Sequence, residues 1–137
     1  MEMNEFNKKI IEEFRANKGI VGGQFAGAPM LLLTTTGAKS GRSHTTPLVY
    51  SKDGDQIVVI ASKAGAPNNP AWYHNLKAHP TVSLEVGTQR FEAKAVVTAG
   101  EERERLFDAQ AKQMAVFNDY KKKTTRQIPV IKFQKGG

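Results

Sequence analysis

The 137-residue chain contains no cysteine. It can therefore supply no thiol nucleophile, no dithiol redox couple and no cysteine-ligated metal cluster, so any electron chemistry must be carried by a bound group. Its three histidines, His44, His74 and His79, lack the spacing of a helical zinc motif. No metal is expected, and the histidines are assigned solvated or structural roles. No run approaches the roughly 20 apolar residues that cross a bilayer. The N-terminus opens on acidic and polar residues without a basic segment followed by an apolar one, so no secretory signal is visible. A cytoplasmic location is expected, with peripheral membrane association left open.

Acidic residues are outnumbered, 13 against 20 Lys and Arg, which gives a net charge of +7 and implies an anionic partner. A single-stranded nucleic acid would call for bases interleaved with exposed aromatics. Here aromatics are 8% of the chain and sit mainly in apolar patterns, apart from the pair Trp72-Tyr73, so no nucleic-acid partner is expected. With 39% hydrophobic residues the chain can bury a core without disulfides, and residues 1–137 are expected to form a single domain.

Hydrophobic periodicity gives the elements. Asn4 can cap a helix with Phe6, Ile10, Ile11 and Phe14 on one face, ending near Asn17 to Gly19; residues 1–19 thus read as an N-terminal amphipathic helix. A glycine-rich loop, Val21 to Pro29, leads to a buried strand at Met30 to Thr36. His44 to Ser51 resumes as a strand that Pro47 confines to an edge or a bulge. The turn Asp53-Gly54-Asp55 returns into a strand over Gln56 to Ala61. Asn69-Pro70 has the form of an N-cap before a short helix that must stop ahead of His79-Pro80. Thr81 to Val86 and Gln89 to Thr98 alternate around Gly87-Thr88 as a second hairpin. One longer helix is expected from Glu101 to Lys123, acids in its first turn and lysines in its last, followed by a closing strand from Ile128 to Phe133. The fold class is mainly β with helices (α+β): about six short, largely antiparallel strands, whose closure into a small barrel would remove exposed edges.

Two segments can carry chemistry. Thr34 to Leu48, TTTGAKSGRSHTTPL, brackets Lys39, Ser40 and Arg42 between glycines and opens a strand with His44, Thr45 and Thr46. Turn amides, hydroxyls and two bases together suit a phosphate; a polar hairpin tip is the plainer alternative. It is not a Walker loop, because Lys39 follows Ala38 rather than glycine. Ala61 to Leu76, ASKAGAPNNPAWYHNL, delivers Ser62 and Lys63 to the N-terminus of the Trp72 helix. A helix N-terminus, a cation and a flat indole suit an aromatic ligand with an acidic tail, unless Trp72 is simply a core anchor.

In this order and at this separation, the two segments resemble the deazaflavin-dependent nitroreductase and quinone reductase family, split β-barrel proteins that use coenzyme F420. The turn DGD, the closing IPV at Ile128 to Val130, EEFRAN at Glu12 to Asn17 and GEERERLF at Gly100 to Phe107 extend the likeness over nearly the whole chain. The resemblance implies a coenzyme groove formed by Ala38, Lys39 and Ser40, then His44, Thr45, Thr46, Pro47 and Leu48, then Ile60, Ala61, Ser62 and Lys63, then Ala71, Trp72, Tyr73, His74 and Asn75. Lys39, Lys63 and the turn amides would hold the phosphate and the oligoglutamate tail, with the ring between the strand ending at Ser62 and the Trp72 helix. Arginine is usual in the family at the position of Ala38 and frequent at that of His44, so binding of the tail here concentrates on Lys39, Arg42 and Lys63.

The activity implied is hydride transfer from the reduced deazaflavin to quinones, nitroaromatics or activated enones, a hydrophobic acceptor in each case. The protein must align ring and acceptor and stabilise charge developing on the acceptor. Ser62 is the candidate for hydrogen bonding at the ring or acceptor, and Tyr50, Tyr73 or Tyr120 could donate a proton. The competing expectations are a non-catalytic carrier of F420 or a fatty acid, and a flavin mononucleotide enzyme on a related barrel. A homodimer is left open.

Overall fold

A computed structural model of the chain describes residues 5–22, 29–54, 56–61, 69–124 and 127–135, and the side chains of these except 5–7 and 116. The elements are α1 (Glu5–Ala16), β1 (Met30–Thr36), β2 (Ser43–Val49), β3 (Ser51–Asp53), β4 (Gln56–Ile60), α2 (Ala71–Ala78), β5 (Thr81–Val86), β6 (Gln89–Val97), α3 (Gly100–Gln113), α4 (Val116–Lys123) and β7 (Val130–Lys135). The seven strands form one antiparallel sheet in the order β2-β1-β5-β6-β7-β4-β3.

The ends of this order are neighbours in the chain. Only Tyr50 separates β2 from β3, so the two are halves of one bent strand. Its first half pairs with β1 from Met30↔Val49 to Thr36↔Ser43, and its second half pairs with β4 at Ser51↔Val58 and Asp53↔Gln56. The sheet therefore curls until its two ends meet at Tyr50, and the expected six strands become seven by hydrogen bonding. Past Ser51 and Val58 the partners part company, because Val49 pairs with Met30 while Ile60 pairs with Val130. That divergence of β2 from β4 is the split of the barrel. Pro47, which has no N–H to donate, lies on β2 at the end of the strand order, as expected of proline in a sheet.

Strand periodicity sorts side chains into an inner and an outer set. Leu31, Leu33, Val59, Leu84, Ile131 and Phe133 face the interior. Leu32 and Met30 face outward beneath α1, where Ile10, Ile11, Phe14 and Val21 cover them. Val58, Ile60 and Val130 face outward beneath Leu106, Phe107, Ala111 and Phe117 of α3 and α4. Leu31, Leu33, Val59, Leu84 and Ile131 are wholly buried, each contributing roughly 1.5–3 kcal/mol of transfer free energy. The apolar face of α1 is thus turned onto the barrel. Its end is fixed by Lys18 and Gly19 in left-handed conformation, φ 56° and 95°, with the Gly19 N–H donating to Phe14 O at 2.8 Å. A Cβ on Gly19 would stand 2.7 Å from the Gly87 Cα, so the β5–β6 turn can seat here only against glycine.

Several boundaries differ from those read in the sequence. Asn4, Phe6 and Asp55 bear on residues or side chains outside the described ones. Helix α2 is capped at Pro70, one residue later than expected and with no side-chain hydrogen bond, because proline has the extended backbone of a cap but no polar side chain. The single long helix divides into α3 and α4 at Met114 and Ala115: Met114 adopts an extended backbone, φ −136° and ψ 94°, after its N–H closes the last turn of α3 on Gln110 O. The break lets Phe117 return to the cluster around Phe107, which a straight helix would carry away. Strand β7 runs from Val130 to Lys135, not from Ile128, since Ile128 and Pro129 serve the approach: Pro129 O accepts from Ala61 N–H and Ile128 O from Arg103. Among the described residues, no helix is long and apolar enough to cross a membrane.

Candidate coenzyme site at the β1–β2 turn and helix α2

The β1–β2 turn owes its shape to glycine and short polar side chains. Gly37 N–H donates to Arg42 O at 2.7 Å, Gly41 N–H returns to Gly37 O at 3.0 Å, and Arg42 N–H donates to Ser40 Oγ at 3.2 Å. Gly41 takes φ 70°, which favours glycine. Gly37 is needed for a different reason: a Cβ there would collide with Ser40 Oγ and lie 2.9 Å from His44 Nε2. The inner face of the turn is fitted to bare backbone, with the serine hydroxyl and the imidazole drawn in against it.

Helix α2 plugs the barrel mouth. Trp72, Tyr73 and Leu76 are buried in the inner cluster with Ala61, and Leu48 and Tyr50 pack against the same cluster. Trp72 is 7% exposed, so the indole is an anchor of the core and not the open platform offered as one reading of the sequence. Asn75 leaves the helix on the turn side. Its Oδ1 accepts from the Ala38 N–H at 3.0 Å, and its Nδ2 donates to Thr35 Oγ1 at 3.3 Å. One side chain therefore ties both sequence segments together.

The ties alter the account of the turn amides. Those of Gly37, Ala38, Gly41 and Arg42 already have protein partners. The amides at the tip, Lys39 and Ser40, bond to no other described residue, and the side chains of Lys39 and Arg42 are exposed and unpaired among the described residues. Cations and tip donors converge on one exposed corner, a donor set that suits a phosphate or carboxylate.

The remaining expected residues fall as follows. Thr45 is held by a 2.9 Å hydroxyl contact with Thr34; Thr46, Pro47 and Leu48 run along β2 toward the split. Ala71 and His74 are exposed on α2. Ile60 turns its side chain into the outer cluster, so only its backbone borders the split. Ser62 and Lys63 lie outside the described residues. Tyr120 is not brought to this corner: it sits on α4 in the outer layer, 5.7 Å from the Phe117 ring and beneath the Lys123 ammonium. The sequence reading passed over Thr35 and Gly37. The inward turn of Thr35 was available from strand periodicity, since it falls in step with Leu31 and Leu33.

The model of the F420H(2)-dependent quinone reductase family matches residues 7–134. The chain belongs to that family. An F420H(2)-dependent quinone reductase of Mycobacterium tuberculosis is 43% identical over 122 residues, covering 86% of this chain and 82% of its own. A solved F420-H2 dependent reductase, FDR-A, superposes with a TM-score of 0.72 at 38% identity, over 77% of this chain and 94% of that one. A second solved structure, described as a domain-swapped dimer, gives 0.74 at 33% identity over 95% and 98%. The split-barrel fold is common to the family members and to this chain.

Proposed function

We propose that this family member binds reduced coenzyme F420 at the split between β2 and β4 and reduces quinones, with nitroaromatics and activated enones as further acceptors. Membership of the F420H(2)-dependent quinone reductase family, matched over residues 7–134, carries the proposal. The fit of the turn supports it: a glycine-lined corner with Lys39, Arg42 and two tip amides is chemically matched to the anionic part of such a coenzyme. When bound, the coenzyme supplies a hydride held on carbon, which limits the chemistry to two-electron reduction.

The chain's own residues would act in three ways. Lys39, Arg42 and Lys63 neutralise the anionic tail, and Asn75 fixes the turn against α2 so that the segment bearing Lys39 and Arg42 is held at the barrel mouth. The wall of buried Trp72 and Tyr73 with half-buried Leu48 keeps water from one side of the split. Tyr50, at the bend where β2 leaves β4, is the proton donor we assign to the reduced acceptor, with Ser62 as a hydrogen-bonding partner. Tyr120 has no part in this account. Residues 1–137 are read as one domain. A homodimer completes the reading, supported by the neighbour described as a domain-swapped dimer.

Mixing the purified protein with reduced coenzyme and menadione tests the proposal. Coenzyme oxidation is expected well above the protein-free rate. Tight binding without acceleration by any quinone, nitro compound or enone would make the protein a carrier instead, and absence of binding would remove the site itself. Light scattering that returns the mass of one chain would remove the dimer.

A further inference from the structure

A second concavity, of about 480 Å³, lies on the outer face of the barrel, beyond the C-terminal end of α2, and is lined by side chains from four strands. It is polar. Thr34 and Thr36 come from β1, Ser43 from β2, Ser83 from β5, and Arg90 and Glu92 from β6. The register makes this a continuous platform: Thr36 pairs with Ser43, Thr34 with Ser83, and Ser83 with Glu92. The apolar partners of α1 are Met30, Leu32 and Val49, those of α3 and α4 are Val58, Ile60 and Val130, and none of these lines the groove.

The charges in this groove differ from others on the same barrel. Arg15 is paired with Glu85, Arg105 with Asp53 and Lys132 with Glu102. Glu85 stands directly across from Arg90 in the sheet, yet its carboxylate is taken by both Arg15 nitrogens, at 3.2 and 2.9 Å. Arg90 is thereby left without its cross-strand partner, and Glu92 faces the hydroxyl of Ser83 across the strand pair, with Lys94 two residues on along the same face. Among the described residues, neither Arg90 nor Glu92 makes an ion pair or a side-chain hydrogen bond.

We propose that this groove is a binding site for a short zwitterion of dipeptide length. One cation and one anion in a concave site select a ligand that carries both signs. Arg90 and Glu92 are two residues apart on one strand and project from the same face with their Cα atoms about 7 Å apart, so that side by side and extended they present their charges at about that spacing. The charges of a single amino acid, roughly 3 Å apart, meet both groups only if the two side chains converge. Those of an extended dipeptide are separated by about the same 7 Å. Arg90 takes the carboxylate through its planar fork, Glu92 takes the ammonium, and the hydroxyls of Thr36, Ser43 and Ser83 serve the peptide group between them. This inference does not rest on the proposed coenzyme site: its charged groups, Arg90 and Glu92, stand on β6, whereas Lys39 and Arg42 stand on the β1–β2 turn.

The test is a chemical-shift titration of ¹⁵N-labelled protein with glycylglycine, with glycine and acetate as shorter and singly charged controls. Saturable shifts are expected at the amides of Thr36, Ser83, Arg90 and Glu92, in the millimolar range, with glycine and acetate at least tenfold weaker. Arg90→Gln and Glu92→Gln should each weaken glycylglycine roughly tenfold, the loss of one charge-assisted contact. Both side chains are exposed and unpaired, so the variants should keep the parent spectrum elsewhere. No saturable shift with glycylglycine, an equal response to acetate, or a response indifferent to both substitutions would each overturn the proposal.

Discussion

Two of the regions where helices meet the barrel treat positive charge in opposite ways. In the α3 layer Arg103, Arg105 and Lys132 have partners. Arg103, buried beside Phe107, donates to Ile128 O through Nε and Nη2 at 3.1 and 2.6 Å and to Glu104 through Nη1. Arg105 forks onto Asp53 at 2.9 and 3.1 Å, and Lys132 reaches Glu102 at 2.8 Å. At the α2 end, Lys39 and Arg42 stand exposed and unpaired on a turn that hydrogen bonds have made rigid. Charges with partners hold elements in place, whereas charges held rigid without partners are ready for a ligand. The net charge of +7 could not distinguish these cases.

Reversing charge at the turn should separate the two regions most sharply. Lys39→Glu is expected to abolish coenzyme binding while leaving the melting temperature unchanged, because it sets a negative charge beside the anionic tail at an exposed position. Titration with F420 and a melting curve on the same sample check it, and unchanged affinity would mean the corner is not the tail site. Binding to the parent protein should also weaken as salt rises.

Phe107→Ala should do the reverse. The ring is wholly buried, with the Arg103 guanidinium 4.9 Å from its centre, and its removal should cost about 3–5 kcal/mol in chemical denaturation. Coenzyme affinity of the folded fraction should be unaffected.

Asn75→Ala falls between. It cuts the bonds to Ala38 and Thr35, for an expected loss of about 1–2 kcal/mol. A roughly tenfold fall in coenzyme affinity should accompany it, a difference of about 1.4 kcal/mol. Loss of stability with affinity intact would show that the tie merely holds α2.

The smallest effect concerns acid. The hydrogen-bonded Arg105 guanidinium holds the Asp53 carboxyl below its ordinary value. A carboxyl with a depressed folded-state pKa stabilises the fold above its unfolded value, and that contribution is lost as pH falls through the folded one. Asp53→Asn should therefore flatten stability slightly at and below the ordinary carboxylate range, as read by melting temperature against pH. Coenzyme binding at neutral pH should not change.

Much of this architecture was visible in local pattern. Met30 to Thr36 is a strand because it is apolar and then β-branched. Asp53-Gly54 and Gly87-Thr88 are turns because glycine takes positive φ there, 63° and 59°. The two segments assigned to the coenzyme were legible as a turn and a helix start, since turn chemistry and helix-start chemistry are local. The break at Met114 was not, because its cause is the packing of Phe117 against a distant cluster. Burial of Trp72 could not be told from exposure, as both suit an indole at the start of a helix. The groove of Thr34, Ser83, Arg90 and Glu92 had no sequence signal at all, since its walls come from strands about fifty residues apart.

The sequence by itself determined where the chain extends, turns and coils, and that its redox chemistry must be borrowed, because backbone preference, side-chain alternation and the lack of thiols are properties of short segments. Tertiary structure alone decided that β2 and β3 are one strand bent at Tyr50, that Asn75 reaches Ala38, and which cations remain without partners. Those outcomes depend on register between residues far apart in the chain, where a hydrogen bond or an ion pair exists only after the sheet has curled and brought both partners to the same edge.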